Sequence, residues 1–187
     1  AEVIDLNSEI NRHPARRVWF ESLDRHLVES IDRWPAVAGC VAWLSQQSAI
    51  DVLASKRSAL VVQKEHWITD DRRLAESGIG GLSWRDFGFP SAKDIGIACV
   101  GSTAEGAGLM HHKFFLMGLG PGRWRAVWFG SYNPTNRGRR NLDAAILSTD
   151  PDIVRDFAAE LRSVLELAEP RQWLAPGLDP HWRRARR

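Results

Sequence analysis

The chain has 187 residues, of which 44% are hydrophobic and 26% charged, and its formal net charge is +2. This balance is typical of one globular domain, and no apolar run approaches the roughly 20 residues that span a bilayer. The N-terminal residues lack the basic flank and apolar stretch of a secretory signal, and Cys40 and Cys99 have neither metal nor redox spacing. We therefore expect a cytoplasmic protein that does not enter a membrane.

The first half of the chain predicts alternating helices and strands. Apolar residues spaced three or four apart predict an amphipathic helix from Phe20 to Trp34, which Pro35 ends. Ser45 is positioned to cap a second helix that runs to about Ser55. The remaining predicted elements are buried strands at 36–44, 59–63 and 94–100, with a short helix and a covering loop at 66–93.

The second half predicts three strands and a helix. The strands are 109–117, 124–129 and 142–148, and a glycine–proline turn joins the first two. Asp150 and Pro151 predict the start of a helix whose inward residues include Ile153, and which ends at about Ala168. We expect an α/β fold with a mixed sheet flanked by helices, formed by residues 1–168, and a Pro/Gly- and Arg-rich tail at 169–187.

Three successive strand ends each carry two polar residues spaced two apart. Side chains two apart on a strand share a face, so His111 and Lys113 project together, whereas His112 points the other way with Phe114. We expect His112 to donate to a backbone carbonyl, either as a core-facing residue or as one that supports the site from behind, and not to be a catalytic group. If the strands are neighbours, all six polar groups converge on one site: His111 with Lys113, Ser131 with Asn133, and Asn141 with Asp143.

This order of motifs resembles the phospholipase D superfamily. The run His-x-Lys, then Gly-Ser-x-Asn after a hairpin, then Asn-x-acid, is similar to the signature of its single-motif nuclease branch, which includes Nuc-type and Zucchini-type endonucleases. The resemblance covers roughly residues 95–165. The chain departs from the family pattern at Gly118, where the motif has Asp.

The resemblance implies a metal-independent phosphodiesterase that uses no cofactor. His111 would attack phosphorus to form a covalent phosphohistidine, and Lys113 and Asn133 would hold the non-bridging oxygens. Ser131 would assist, and Asp143, in place of the family's usual Glu, would orient His111. Because the chain carries one such motif, a symmetric homodimer would supply the second histidine, which acts as acid and base.

Nucleic acid is the expected substrate, because no Asp or Glu occurs from Gly106 to Leu142. A solvated arginine-rich loop is the alternative explanation for residues 137–140. Tyr132 is a candidate for stacking on a base. Five arginines of this stretch are candidates for substrate binding: Arg123, Arg125, Arg137, Arg139 and Arg140.

Two alternative functions and the kind of nucleic acid stay open at this stage. The chain could be a phospholipase or transphosphatidylase that acts on lipid phosphodiesters. It could instead be a catalytically weak or inactive nucleic-acid-binding module, because Gly118 replaces the motif Asp. The sequence does not distinguish DNA from RNA or single from double strands, and it does not indicate a sequence preference.

Overall fold

The computed structural model describes residues 15–65, 70–77, 79, 82, 97–102 and 108–170. Within these residues, eight strands form one mixed sheet in the order β1-β7-β6-β5-β2-β3-β4-β8. The strands are β1 (Arg16–Trp19), β2 (Ala36–Val41), β3 (Arg57–Gln63), β4 (Ala98–Val100), β5 (Lys113–Gly118), β6 (Trp124–Gly130), β7 (Ala145–Ser148) and β8 (Glu169–Pro170). The helices are α1 (Leu23–Asp32), α2 (Gln47–Ala54), α3 (Asp71–Ser77) and α4 (Pro151–Leu165), with a 3₁₀ turn at Gly138–Arg140.

Helices cover the sheet on both faces, as an α/β architecture requires. Strands β2, β3 and β4 are parallel, and β5 joins β2 antiparallel. Every residue of β2 is buried, because α1 and α2 pack on one of its faces and α4 packs on the other. The predicted fold class, a mixed sheet flanked by helices, is confirmed.

Helix α4 begins where the sequence predicted. The carboxylate of Asp150 accepts hydrogen bonds from the amides of Asp152 and Ile153, and Pro151 occupies the first helical position. Ile153 was predicted to face inward, but it is 37% exposed. Its neighbour Val154 is buried against the sheet, and because successive residues of a helix project about 100° apart, Ile153 points away from that face.

Several predicted boundaries were wrong. Gln46, with no side-chain cap, precedes α2 where Ser45 was expected to cap it. Strand β5 begins at Lys113 and β7 at Ala145, each a few residues later than predicted. The edge strands β1 and β8 were not predicted; β8 lies in the expected tail and pairs with β4. Parts of the predicted segments 66–93 and 94–100 lie outside the described residues.

The strand register places one set of strand ends at the same edge of the sheet. Lys113 at the start of β5 lies opposite Val41 at the end of β2. On the other side, Phe114 pairs with Phe129, and Gly130 at the end of β6 pairs with Ala145 at the start of β7. The segments that precede β5, follow β6 and precede β7 therefore meet at this edge, which we call the site edge.

Candidate functional site

The indole of Trp43 joins the two residues of the His-x-Lys motif at the site edge. The ring of His111 meets it edge-on, with 5.6 Å between centroids, and the Lys113 ammonium lies 5.9 Å from its centroid. The amide of Ala42 donates to the carbonyl of His112 (3.1 Å), which continues the β2–β5 pairing beyond the strand. His111 and Lys113 therefore share a face, as the alternation predicted.

Lys113 is a buried cation whose Nζ makes one hydrogen bond among the described residues. The residue is 7% exposed, and its Nζ donates to the backbone carbonyl of His111 at 2.8 Å. Burial lowers the pKa of Lys113, and the nearby Asp143 carboxylate opposes that shift. An ammonium has three N–H groups, so two can bind a ligand that enters the site.

The imidazole of His111 is exposed, and its surroundings favour the neutral form. Its pKa is lowered from 6.5, first by desolvation and then by the positive charges of Lys113 and His112. A neutral imidazole retains the nitrogen lone pair that a nucleophile or a base needs. This state suits attack on an electrophile near neutral pH.

Ser131 and Asp143 form a hydrogen-bonded pair across the β6–β7 connection. The Ser131 hydroxyl donates to Asp143 Oδ1 (2.6 Å) and accepts from the amide of Ala144 (3.1 Å), while the Ser131 amide donates to the Ala144 carbonyl (3.0 Å). Asp143 also acts on Lys113 through its charge. The family resemblance implied that Asp143 orients His111, whereas the hydrogen bond in the structure joins Asp143 to Ser131.

Asn133 carries an unsatisfied polar atom. Its Oδ1 is buried and has no hydrogen-bond partner among the described residues. A buried acceptor of this kind costs on the order of 1–3 kcal/mol. Asn133 also lines a cavity that Trp43 and Asn141 line as well.

His112 lies on the opposite face from His111, as predicted, but its partner was not predicted. The ring Nε2 is 3.1 Å from Glu160 Oε1 on α4, and the ring packs edge-on to Phe114. The side chain is 40% exposed. The predicted backbone-carbonyl acceptor was wrong, because α4 crosses this face of the sheet and presents a carboxylate there.

Tyr132 does not present its ring to solvent. The residue is 2% exposed, and its hydroxyl donates to Gln46 Oε1 (2.6 Å). Desolvation raises the pKa of Tyr132 to about 12. The prediction that Tyr132 stacks on a base was wrong, because the residues after β6 turn back over α2 and bury this ring.

The structure separates the predicted substrate-binding arginines into two groups. Arg137 lines the cavity beside Asn133, Arg140 is exposed nearby, and Arg139 forms an ion pair with Asp24 (2.9 Å). Arg123 and Arg125 lie at the far end of the β5–β6 hairpin. With roughly 3.4 Å per residue, the five steps of β5 put that end about 17 Å from Lys113.

Gly118, the departure from the family motif, also lies at this far end. A Cβ at Gly118 would come within 2.4 Å of the Arg123 carbonyl oxygen and 2.8 Å of the Trp124 Cα. The β5–β6 register shifts between Met117 and Gly118. The glycine is therefore explained by close backbone approach in the hairpin, at a distance from the site.

Sequence reasoning missed Trp43 and Glu65. The indole Nε1 of Trp43 donates to Glu65 Oε1 at 2.9 Å. Trp43 lies inside the apolar run 36–44, which predicted only a core strand, and Glu65 follows another such strand. In the structure, both residues lie just beyond the ends of β2 and β3, which are adjacent strands. The signal available in the sequence was that each residue lies near the C-terminal end of an apolar run.

The described residues hold neither a metal-binding cluster nor a membrane-spanning helix. Within the described ranges, no group of three His, Cys, Asp or Glu side chains is arranged to hold a metal ion. No helix in the described part of the chain combines the length and apolar character needed to cross a membrane.

The fold is shared with the solved structures of two bacterial proteins. NucT from Helicobacter pylori superposes with a TM-score of 0.59 at 10% identity, over 83% of this chain and 98% of NucT. Nuc from Salmonella typhimurium, described as a phospholipase D family member, gives 0.56 at 14% identity, over 84% of this chain and 97% of Nuc. The chain therefore has a phospholipase D-like fold.

The other comparisons do not identify a function. No family model matches the sequence. An uncharacterized protein, L381 of Acanthamoeba polyphaga mimivirus, is 25% identical over 209 residues, which cover 90% of this chain and 71% of L381. The polyphosphate kinase of Porphyromonas gingivalis has a TM-score of 0.52 at 15% identity, over 91% of this chain and 28% of the kinase.

Proposed function

We propose that this chain is a phospholipase D-type nuclease that cleaves nucleic acid, DNA or RNA, with His111 as the nucleophile. One observation carries the proposal: His111 and Lys113 meet on the Trp43 ring, at the edge where Ser131 and Asp143 form their pair. The fold shared with NucT and Nuc supports it.

The reaction proceeds in two displacements. A ring nitrogen of neutral His111 attacks phosphorus, a P–N bond forms, and the P–O bond to the leaving strand breaks. A second histidine donates its proton to the leaving oxygen. That histidine then takes a proton from water, the resulting hydroxide attacks phosphorus, and the P–N bond breaks to restore His111.

Residues around the nucleophile stabilise the charge that develops on the phosphoryl oxygens. The two available N–H groups of Lys113 and the side-chain amide of Asn133 donate to the non-bridging oxygens. Burial lowers the pKa of Lys113, and the negative charge of Asp143 opposes that shift and favours the protonated ammonium. Ser131 holds Asp143 in place.

The second histidine comes from a second copy of this chain across a two-fold axis. Exposed apolar side chains support an interface at the site edge. Leu142 is fully exposed, Leu109 is 47% exposed and Phe20 is 51% exposed, and all three lie next to segments that form this edge. Burial of these side chains in a homodimer would bring two copies of His111 together.

The decisive assay is cleavage of labelled single- and double-stranded DNA and RNA in excess EDTA. Wild type is compared with His111→Ala and with the matched control His112→Ala, whose ring lies on the opposite face. We expect cleavage by wild type and by His112→Ala, and none by His111→Ala. Cleavage abolished by EDTA, or hydrolysis of phospholipid vesicles without cleavage of nucleic acid, would contradict the proposal.

Mixed dimers of wild type and His111→Ala test whether two chains share one active site. If each dimer needs both copies of His111, added His111→Ala protein forms inactive mixed dimers and lowers the activity per wild-type chain. An equal amount of the variant, equilibrated with wild type, halves that activity, because mixed dimers then contain half of the wild-type chains. Constant activity per wild-type chain would show that a single chain is sufficient.

A further inference from the structure

A cavity of about 640 Å³ adjoins the proposed catalytic residues without including His111 or Lys113. It lies between the segments that follow β2 and β3 and the loop that follows β6, and Trp43, Asn133 and Arg137 are among its lining residues. The volume falls within the range of about 300–1,000 Å³ typical of small-ligand sites. The phosphodiester chemistry proposed above assigns no ligand to this space.

Trp43 supplies an aromatic wall that is fixed in orientation. Its ring is half-buried, the Nε1–H donates to Glu65, and the ring makes a T-shaped contact with the imidazole of His111. Such a ring loses little conformational entropy when a planar group stacks on it. A base that occupied the cavity against Trp43 would belong to a nucleotide next to the phosphate that His111 attacks.

The part of the wall that the loop after β6 forms is polar and is held by hydrogen bonds. Thr135, Asn136, Arg137 and Asn141 line it, and these residues offer hydroxyl, amide and guanidinium groups to a base edge or a flanking phosphate. Backbone hydrogen bonds hold the loop, from Arg140 to the Arg137 carbonyl (3.0 Å) and from Asn141 to the Gly138 carbonyl (3.1 Å). The loop therefore needs little ordering when a ligand binds.

We propose that this cavity binds one unpaired base, stacked on Trp43, and that the enzyme consequently selects single-stranded nucleic acid. The inference rests on the proposed function and adds its substrate class. In a duplex the bases are stacked inside the helix, so occupation of the cavity requires a nucleotide to be flipped out at a cost of a few kcal/mol. A single strand presents its bases without this cost.

The first experiment changes the ligand and leaves the protein intact. A labelled single-stranded oligonucleotide is bound to His111→Ala protein, which does not cleave it, and one abasic site is moved along the strand. Loss of a single stacked base should weaken binding about 5- to 150-fold at one position. The matching duplex should bind roughly 10- to 100-fold more weakly than the single strand. Equal weakening at every position, or equal affinity for duplex, would overturn the inference.

The second experiment changes the wall of the cavity. Trp43→Ala should remove the position-specific effect of the abasic site, and Trp43→Phe should keep much of it because phenylalanine still offers a ring face. Trp124→Ala, which changes a half-buried tryptophan at the far end of the β5–β6 hairpin, is the matched control and should bind as wild type does. A position-specific effect that persists in Trp43→Ala would overturn the inference.

A small phosphodiester without a nucleobase, methyl 4-nitrophenyl phosphate, separates the two proposals. Turnover of this diester that depends on His111, together with binding that does not depend on any one base, would contradict the base-binding cavity alone. Absence of turnover by wild type on both the diester and nucleic acid would contradict the proposed function itself. Turnover combined with the position-specific abasic effect supports both.

Discussion

Replacement of Lys113 by methionine separates catalysis from stability. Methionine keeps a long unbranched side chain in the buried position but removes the ammonium that donates to the His111 carbonyl and faces Trp43. The variant should therefore fold normally and lose the charge that the phosphoryl oxygens require. The two effects have different sizes, which makes them measurable separately.

The expected change in stability is small because opposing contributions nearly cancel. The variant loses one hydrogen bond, about 1 kcal/mol, and a cation–π contact of about 0.5–1 kcal/mol. It also loses the desolvation cost of a cation that is 7% exposed, and removal of buried charge is often neutral or stabilising. We expect a free energy of unfolding within about 1 kcal/mol of wild type at pH 7.

The free energy of unfolding should also depend on pH, because the pKa of Lys113 is lowered in the folded state. Because burial lowers the pKa of Lys113 in the folded state, the unfolded chain binds more protons between that lowered pKa and 10.5. Stability rises with pH wherever the unfolded state binds more protons. Wild type should therefore gain stability relative to Lys113→Met as the pH is raised from 7 to 10.

The expected loss of activity is much larger than the change in stability. Removal of one preorganised donor to a developing oxyanion typically costs about 10²- to 10³-fold in rate. The assay is kcat on a labelled oligonucleotide beside denaturant unfolding, with Lys56→Met as the control. Lys56 pairs with exposed Asp32, outside the site edge. A rate loss under 10-fold, or a loss of stability above about 3 kcal/mol, would refute the role given to Lys113.

Three further predictions address neighbouring residues. Asn133→Ala should lower the rate roughly 100-fold without lowering the unfolding free energy, because the buried Oδ1 has no partner among the described residues. In an NMR titration, the pKa of His111 should lie below 6.5, and it should rise in Lys113→Met because a neighbouring positive charge is removed. Gly118→Asp should destabilise the protein by roughly 1–3 kcal/mol, measured by urea unfolding, because the new Cβ meets the Arg123 carbonyl. It should not raise activity.

Each of these predictions has a contrary outcome. Marked destabilisation by Asn133→Ala would give that amide a structural role. A His111 pKa at or above 6.5 would mean that the neighbouring charges do not act on it as described. Higher activity in Gly118→Asp would restore the alternative that the missing motif residue weakens catalysis.

The sequence could predict the parts of the site that depend on strand geometry. The alternation of side chains placed His111 with Lys113 and His112 on the other face, and the structure confirms both placements. Buried strands and the Asp150 cap were also predictable, because they follow from local apolar patterns and capping chemistry. These features depend only on residues that are close together in the sequence.

Features that depend on neighbouring strands were not predictable. Trp43 reaches the site because β2 lies beside β5, although the two strands are far apart in sequence. The length of the hairpin carries Arg123 and Arg125 away from Lys113, whereas composition alone grouped them with it. Tyr132 is buried by a turn whose course no local pattern specifies.

Detection of the covalent intermediate tests the central claim most directly. Wild-type protein is mixed with a radiolabelled oligonucleotide, quenched within a single turnover in strong base, in which a phosphohistidine survives, and analysed on a denaturing gel and by peptide mass spectrometry. We predict a labelled protein band whose phosphoramidate maps to His111, present in His112→Ala and absent in His111→Ala. Cleavage without any protein-bound label, or label on a residue other than His111, would contradict the account.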